Sequence, residues 1–371
     1  MNYFIKETFN EQYTLLIDSD MQGVDVHMTS RSQMRWDFTI LKVEKEYAEV
    51  RIILLDHALL ESNNSMVKEV AQVSQIFSRM YNELHINLNF EGKVTQIHNI
   101  DIIQEKWNQT KKEMEGFLEH SPEIKPVIQL NDAIFSTPEK IKQAIQANEL
   151  ISNWWGILVG KEIPSTQKDL TQPNFFNTAQ VQWTRSFREY ERDKIPGLLQ
   201  VEVLTQPTFM LSDGFYNRAY SQFADKIDIS TVNTLLREEG KFQIEETSGR
   251  LIQAIIKRKE EAAPNLYTRL TYTLLSDEIY KQKLKEQPQA YRHPENKKEN
   301  AINNPEEKNE TTPYKIYRGK KYSQEEWEDF EAKQFKIYAE KNNIRMDPKE
   351  EKPKKKAVPG KFFIDEKESD Y

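Results

Sequence analysis

Cysteine is absent from this chain of 371 residues. Its absence excludes disulfide bonds, thiolate nucleophiles and zinc sites built on cysteine. Glycine is scarce as well, with 11 residues, and none of them forms a glycine-rich phosphate loop or a Gly-x-Ser-x-Gly turn. The sequence therefore lacks the common signatures of nucleotide-binding enzymes and serine hydrolases, and we expect a protein that is not an enzyme.

Long apolar stretches are also missing from the sequence. No run approaches the ~18 apolar residues that a membrane span requires. The segment Met1–Asn10 has neither the basic nor the apolar region of a signal peptide. We therefore expect a cytoplasmic protein without an integral membrane segment.

Basic charge is in deficit, with 52 Lys and Arg against 59 Asp and Glu. The deficit lies in residues 1–282, which contain 40 acidic and 31 basic residues. An acidic body repels the phosphate backbone, on which nucleic-acid binding depends. Nucleic acid is consequently not an expected partner.

What the sequence does contain is an alternation of apolar and polar residues on both sides of Glu91-Gly92. This pattern predicts two antiparallel strands joined by a tight turn. If Phe90 lies opposite Lys93, one face of the hairpin consists of Leu84, Ile86, Leu88, Phe90, Thr95 and Ile97. We expect this face to contact the core and the other face to meet water or a partner.

In the same register His85 lies directly opposite His98, close enough for the two rings to share a metal ion. Two imidazoles do not complete a metal site. The six histidines also show no His-x-x-x-His or His-Glu-x-x-His spacing. We therefore interpret both residues as part of an exposed polar face, and we expect no metal and no other cofactor.

Similar alternation elsewhere predicts the remaining strands. Before the hairpin we expect a four-stranded meander over residues 13–17, 23–28, 34–43 and 48–55, with a turn at residues 18–22, and then a helix from Ser65. After it we expect helices from Asp101, from Thr137 to Trp155 and from Ser212, and a loop over residues 160–177. We also expect strands over residues 180–188, 198–204 and 265–275, and a second hairpin over residues 242–255. The sequence predicts an α+β fold with two antiparallel curved sheets and packed helices, followed by a flexible tail with one amphipathic helix.

Composition suggests where these parts begin and end. Two prolines within Ser121–Pro126 block helix continuation, and residues 281–312 contain almost no apolar side chains. The predicted parts are an N-terminal α+β domain (1–120), a second α+β domain with an aromatic cluster (127–280), a disordered linker (281–312), a tethered amphipathic helix (313–345) and a disordered charged tail (346–371).

Two groups of side chains are candidates for partner binding. Trp154 and Trp155 point about 100° apart on a helix, so both are buried only if that helix is covered broadly. The alternative is that one of them lines a groove for a ligand or partner. In the tail, Trp327, Phe330 and Ile337 stand in a polar stretch, as anchors that dock a helix into a groove do. That groove belongs either to a partner or to the chain's own body.

These features favour a non-enzymatic, cytoplasmic adaptor or chaperone-like protein with a protein partner. The predicted plan consists of cytoplasmic sheet-and-helix domains without catalytic motifs and a flexible tail with apolar anchors. This plan resembles that of adaptors that load effectors of bacterial contractile secretion systems. The resemblance implies a bacterial secreted effector as cargo. The resemblance assigns no residues, because no motif carries it. The alternative is a carrier domain with an apolar small molecule or lipid in a sheet-lined pocket, and an enzyme of unrecognised type is the third possibility.

Overall fold

The computed structural model describes residues 2–65, 67, 68, 71, 78–115, 124–190, 195–287, 314–317 and 320–323. Met1–His293 form one compact unit and Pro294–Tyr371 a second. In the second unit the described residues form an antiparallel strand pair, Tyr314–Tyr317 and Lys320–Ser323. This strand pair precedes Trp327, Phe330 and Ile337, the anchors of the predicted tail helix. Those residues lie outside the described residues, so the helix stays a prediction.

An antiparallel sheet of eleven strands makes up the framework of the first unit. Its strands are β1 (Asn10–Gly23), β2 (Val26–Val43), β3 (Tyr47–Ser62), β4 (Glu83–Asn89), β5 (Val94–Ile97), β6 (Ser165–Pro173), β7 (Gln180–Glu189), β8 (Leu198–Pro207), β9 (Leu235–Glu245), β10 (Leu251–Ala263) and β11 (Leu266–Ser276). The spatial order is β5-β4-β3-β2-β1-β11-β10-β9-β8-β7-β6.

The predicted α+β class with antiparallel pairing is therefore confirmed. The two expected sheets are the two halves of a single sheet, because β1 pairs with β11 from Tyr13↔Ser276 to Gly23↔Leu266. The predicted joint at Ser121–Pro126 falls within the first compact unit. Pro126 lies in the first turn of a helix, where a backbone N–H is not needed.

Helices cover this sheet. They are α1 (Ile100–Glu115), α2 (Ile124–Phe135), α3 (Pro138–Gln146), a π-helical turn (Ile151–Trp155) that continues as α4 (Gly156–Leu158), α5 (Asp213–Tyr220) and α6 (Asp277–Glu286). Short 3₁₀ turns occur at Arg79–Tyr81, Ser221–Phe223 and Ile229–Thr231. No helix of the described residues is long and apolar enough to cross a membrane.

Strong curvature of the sheet follows from the composition of its main core. Ile86 of β4, Phe187 of β7 and Val201 of β8 belong to one buried cluster, although these strands lie near opposite ends of the sheet. Trp154 and Trp155 are part of the same cluster. The sheet thus wraps around the helical segment that carries the two tryptophans.

The hairpin of β4 and β5 docks on this segment through glycines. A Cβ on Gly92 would lie 2.8 Å from the Cα of Gly156, and a Cβ on Gly160 would lie 1.6 Å from the carbonyl oxygen of Phe90. Both Gly92 and Gly160 also have positive φ. The backbones touch because no side chain separates them.

The predicted hairpin register is correct at Ile86↔Ile97 and Asn87↔Gln96 and shifts by one residue nearer the turn. The irregularity pairs Leu88 with Val94, so Val94 is buried and Thr95 is exposed. The sequence had predicted the reverse, with Thr95 on the core face and Val94 on the polar face. A β-bulge of this kind reverses the facing of the residues beyond it.

Four further predictions differ from the structure. Residues 18–22 continue β1, and the chain turns instead at Val24, which has positive φ. The helix expected from Thr137 to Trp155 is interrupted at Ala147, and residues 165–173 form the edge strand β6 instead of a loop. Residues 281–286 lie in α6, whereas the sequence predicted disorder there. The rest of the predicted linker, tail helix and charged tail lies outside the described residues, except for the strand pair above.

We predict that Gly160→Ala destabilises the protein much more than Gly197→Ala does. Both glycines have positive φ, which costs alanine about 1–2 kcal/mol. Among the described residues, nothing lies within 4 Å of a Cβ at Gly197, whereas a Cβ at Gly160 overlaps the Phe90 carbonyl. Urea unfolding should therefore show a loss of about 1–2 kcal/mol for Gly197→Ala and about 3–5 kcal/mol for Gly160→Ala. Equal losses would mean that the hairpin does not pack here as described.

Candidate functional site

Trp154 and Trp155 were the candidates for a binding groove in the body, and both lie in the core. They are 0% and 1% exposed. The Trp154 indole N–H donates to the hydroxyl of Tyr3, and that of Trp155 donates to the carbonyl of Asn89. The sheet covers their helix broadly, which was the first of the two alternatives, and a groove lined by either tryptophan is not seen in the described residues.

Trp327, Phe330 and Ile337 lie outside the described residues. Their role in partner binding therefore stays a prediction. The body itself offers a further candidate site, in the part of the sheet that the core does not cover.

The far ends of β1, β2 and β3 extend beyond the core. No residue in 17–32 or 53–64 is fully buried on either face of the sheet, and only Ile17, Val24 and Leu54 pack at the margins of the buried clusters. On β1, Tyr13 and Leu15 face the core, so alternation places Asp18 and Asp20 on the convex side. Helix α6 packs against β1 and β11, and the strands run on past the region it covers.

An open groove of about 710 Å³ lies on this extension. Its lining comes from β1, β2, β3 and β11, and all of the lining side chains are charged or carry a hydroxyl or amide group. The lining residues are Asp18, Ser19, Asp20, Thr29, Ser30, Arg31, Glu61, Ser62, Asn63, Arg269 and Thr271.

Ion pairs between neighbouring strands hold the charges of the groove in place. Arg31 donates to Asp18 at 2.6 Å, and Arg269 approaches Asp20 at 3.4 Å. His27 also contacts Asp20, at 2.8 Å. These side chains remain partly exposed to solvent, where an ion pair contributes only about 0–1 kcal/mol. A charged group on a partner can therefore replace one member of such a pair at little cost to the fold.

A second ion-pair network lies on the concave side of the sheet and, unlike the pairs of the groove, is buried. Glu238 is 5% exposed, and its carboxylate accepts hydrogen bonds from Arg258 at 2.7 Å, from Arg185 at 3.3 Å and from Thr205 at 3.0 Å. Arg258 also donates to Asn153 in the π-helical turn. This network links β7, β8, β9 and β10 to the helical segment, so we assign it a structural role.

The pKa of Glu238 reflects this environment. Burial alone would raise the pKa, but the charges of Arg258 and Arg185, helped by hydrogen bonds, hold it below its ordinary value. A carboxyl group whose pKa is lower in the folded chain stabilises the fold above its unfolded pKa of about 4.3. This contribution is lost as the pH falls through the still lower pKa of the folded state.

We predict that Glu238→Gln and Asp18→Asn have very different effects on stability. The first leaves two buried guanidinium groups short of their counter-charge, which costs about 3–5 kcal/mol. The second breaks an exposed pair and should cost at most about 1 kcal/mol. Denaturant unfolding at pH 7 measures both values. A large loss for Asp18→Asn would mean that the groove pairs hold the fold together.

A smaller polar cluster lies on the convex face near the edge strand β5. His85 and His98 are neighbours, as predicted, with ring centroids 4.4 Å apart. Glu49 of β3 joins them, and its carboxylate lies 2.7 Å from Nε2 of His85. Glu49 was not predicted as part of this cluster, because the register between β3 and β4 is set by residues distant in the chain.

The groove residues were missed for a different reason. Asp18 and Asp20 were interpreted as turn residues because they are polar. In β1, however, Asp18 and Asp20 lie on the same face as Thr14 and Leu16. This continued period of two residues was the signal for a longer strand.

Comparisons with known proteins add little to the site. No protein-family model matches the chain, and no curated protein matches it. A solved structure titled "Lipid-protein interactions in lipovitellin" is similar over 73% of this chain and 25% of that chain, with 10% sequence identity and a TM-score of 0.31. The chain thus spans about a quarter of the length of that structure. A likeness at this TM-score assigns neither a family nor a function.

Proposed function

We propose that the protein is a non-enzymatic adaptor or chaperone-like protein whose charged groove binds a basic segment of a protein partner. The observation that carries this proposal is the groove itself, an open depression across four strands with exposed charges on its walls. Exposed ion pairs are weak, so a partner's lysines and arginines compete for the carboxylates with little loss of stability.

The balance of charge favours a basic occupant. Three carboxylates, from Asp18, Asp20 and Glu61, line the groove together with the guanidinium groups of Arg31 and Arg269. The surrounding body is acidic, since residues 1–282 have more acidic than basic side chains. A negative field of this kind speeds the approach of a positively charged partner and makes the association rate sensitive to salt.

The finer parts of the proposal are a cytoplasmic location and a bacterial secreted effector as cargo. They extend the resemblance in overall plan, and the identity of a co-purified protein tests them. The carrier alternative has no specific support in the described residues. The groove is polar, and the helical segment with Trp154 and Trp155 occupies the concave side.

We predict that neutralising the groove carboxylates removes the partner. Wild type and the Asp18→Asn/Asp20→Asn variant would be purified from cells that naturally produce the chain. Mass spectrometry would then quantify the proteins that accompany each. The proposal expects one protein in near-stoichiometric amount with wild type, at least about tenfold depleted from the variant, and released by raised salt because the binding is electrostatic.

The matched control is Glu202→Gln/Glu239→Gln, which breaks two exposed ion pairs elsewhere on the sheet and changes the net charge equally. It should retain the partner. Equal loss from both variants would show that only net charge matters, and equal retention would exclude the groove as the binding site. A small molecule extracted in stoichiometric amount, without a protein, would favour the carrier alternative.

A separate prediction concerns the tail. If Trp327, Phe330 and Ile337 bind the partner, the triple variant Trp327→Ala/Phe330→Ala/Ile337→Ala should lose the co-purified protein. The body of this variant should unfold at the same denaturant concentration as that of wild type. The control, Glu328→Ala/Lys333→Ala/Lys336→Ala, changes polar residues of the same segment and should retain the protein. A triple variant that keeps the partner and changes the stability of the body would indicate docking on the chain itself.

A further inference from the structure

The cluster of Glu49, His85 and His98 has the composition of a metal site. Each residue offers one ligand atom, and these atoms all lie within 4.8 Å of one another. Glu49 and His85 are half-buried, whereas His98 is exposed. A site that is open on one side leaves room for water as an additional ligand.

Pairing within the sheet brings the three residues together. Glu49 is directly opposite Asn87 in the β3–β4 ladder, and His85 is two residues before Asn87 on the same face. His98 follows β5, and its backbone N–H donates to the carbonyl of His85. The three side chains therefore come from three consecutive segments at one edge of the sheet.

Hydrogen bonds prepare both rings for a metal. Asn87 is held by Gln96, and its amide oxygen accepts from Nε2 of His98 at 2.8 Å. Such a bond fixes the tautomer of a histidine ligand and leaves its other ring nitrogen with a lone pair. Nε2 of His85 faces the Glu49 carboxylate at 2.7 Å. The atom shared between them is a proton in this arrangement, and a metal ion can replace it.

The ligand types select the metal. Hard cations such as Ca²⁺ and Mg²⁺ prefer ligand sets made entirely of oxygen. Imidazole suits zinc, copper and nickel. Zinc accepts two histidines and one glutamate together with a water molecule, with bonds of about 2.0–2.2 Å. Small rotations of these surface side chains bring separations of 2.7–4.8 Å to the spacing that such bonds require.

We propose that Glu49, His85 and His98 form a zinc site that fastens the edge strand β5 to β4 and β3. Strand β5 has only four residues and pairs on one side alone. An ion bound to His98 just beyond the end of β5 holds the strand in place from its free end. The site lies apart from the charged groove, so the proposal is independent of the adaptor function.

The test uses full-length protein without a histidine tag, titrated with ZnCl₂ in a calorimeter. Wild type should bind one zinc ion per chain with a heat that MgCl₂ does not reproduce. His85→Gln and His98→Gln should each weaken binding at least about tenfold, as should Glu49→Gln, which keeps a hydrogen-bond acceptor beside His85. His27→Gln is the matched control because His27 also contacts an acidic side chain on the exposed sheet.

Hydrogen exchange adds a readout that adventitious zinc would not change. Zinc should slow exchange of the backbone amides of β5 in wild type and in His27→Gln, and should leave them unchanged in His98→Gln. Zinc binding that survives both His85→Gln and His98→Gln would place the ion elsewhere and overturn the proposal. So would the absence of binding to correctly folded wild type, or the same loss of binding in His27→Gln.

Discussion

The pairing of β1 with β11 is the constraint on which the rest of the fold depends. It joins strands about 250 residues apart in the chain, in a continuous register from Tyr13↔Ser276 to Gly23↔Leu266. Without it, each half would expose an additional sheet edge and would lose part of the common core. The two halves therefore share one sheet and one main core within the compact unit Met1–His293.

The two faces of the sheet have different physical roles. On the concave face, stability comes from buried side chains, from the close approach of Gly92 to Gly156, and from Glu238 between two arginines. The buried polar groups Asn153 and Glu238 already have hydrogen-bond partners within the fold. The convex face carries exposed ion pairs that contribute little to folding. Binding functions fit this face because its charges can change partner without unfolding the chain.

The parts of the fold that follow from short-range patterns were predictable from the sequence. Alternation at Leu84, Ile86 and Leu88 gave the core face of β4, and Thr137-Pro138 marked the start of α3, where the Thr137 side chain accepts from Lys140. Features set by distant residues were not predictable. The union of the two halves, the bulge that buries Val94, and the position of Glu49 beside His85 all depend on register between strands. For the same reason, the candidate sites were largely hidden in the sequence.

Among the described strands, the open sheet of eleven has two unpaired edges, and both are poorly suited to recruit another strand. One edge is β5, which is only four residues long and pairs irregularly with β4. The other is β6, which ends at Pro173, carries Lys168 and shifts register between Gln167 and Leu170. Short length, proline, lysine and bulges are the means by which natural sheets prevent edge-to-edge association. Neither edge strand therefore offers a long, regular template with which a strand of another copy could pair.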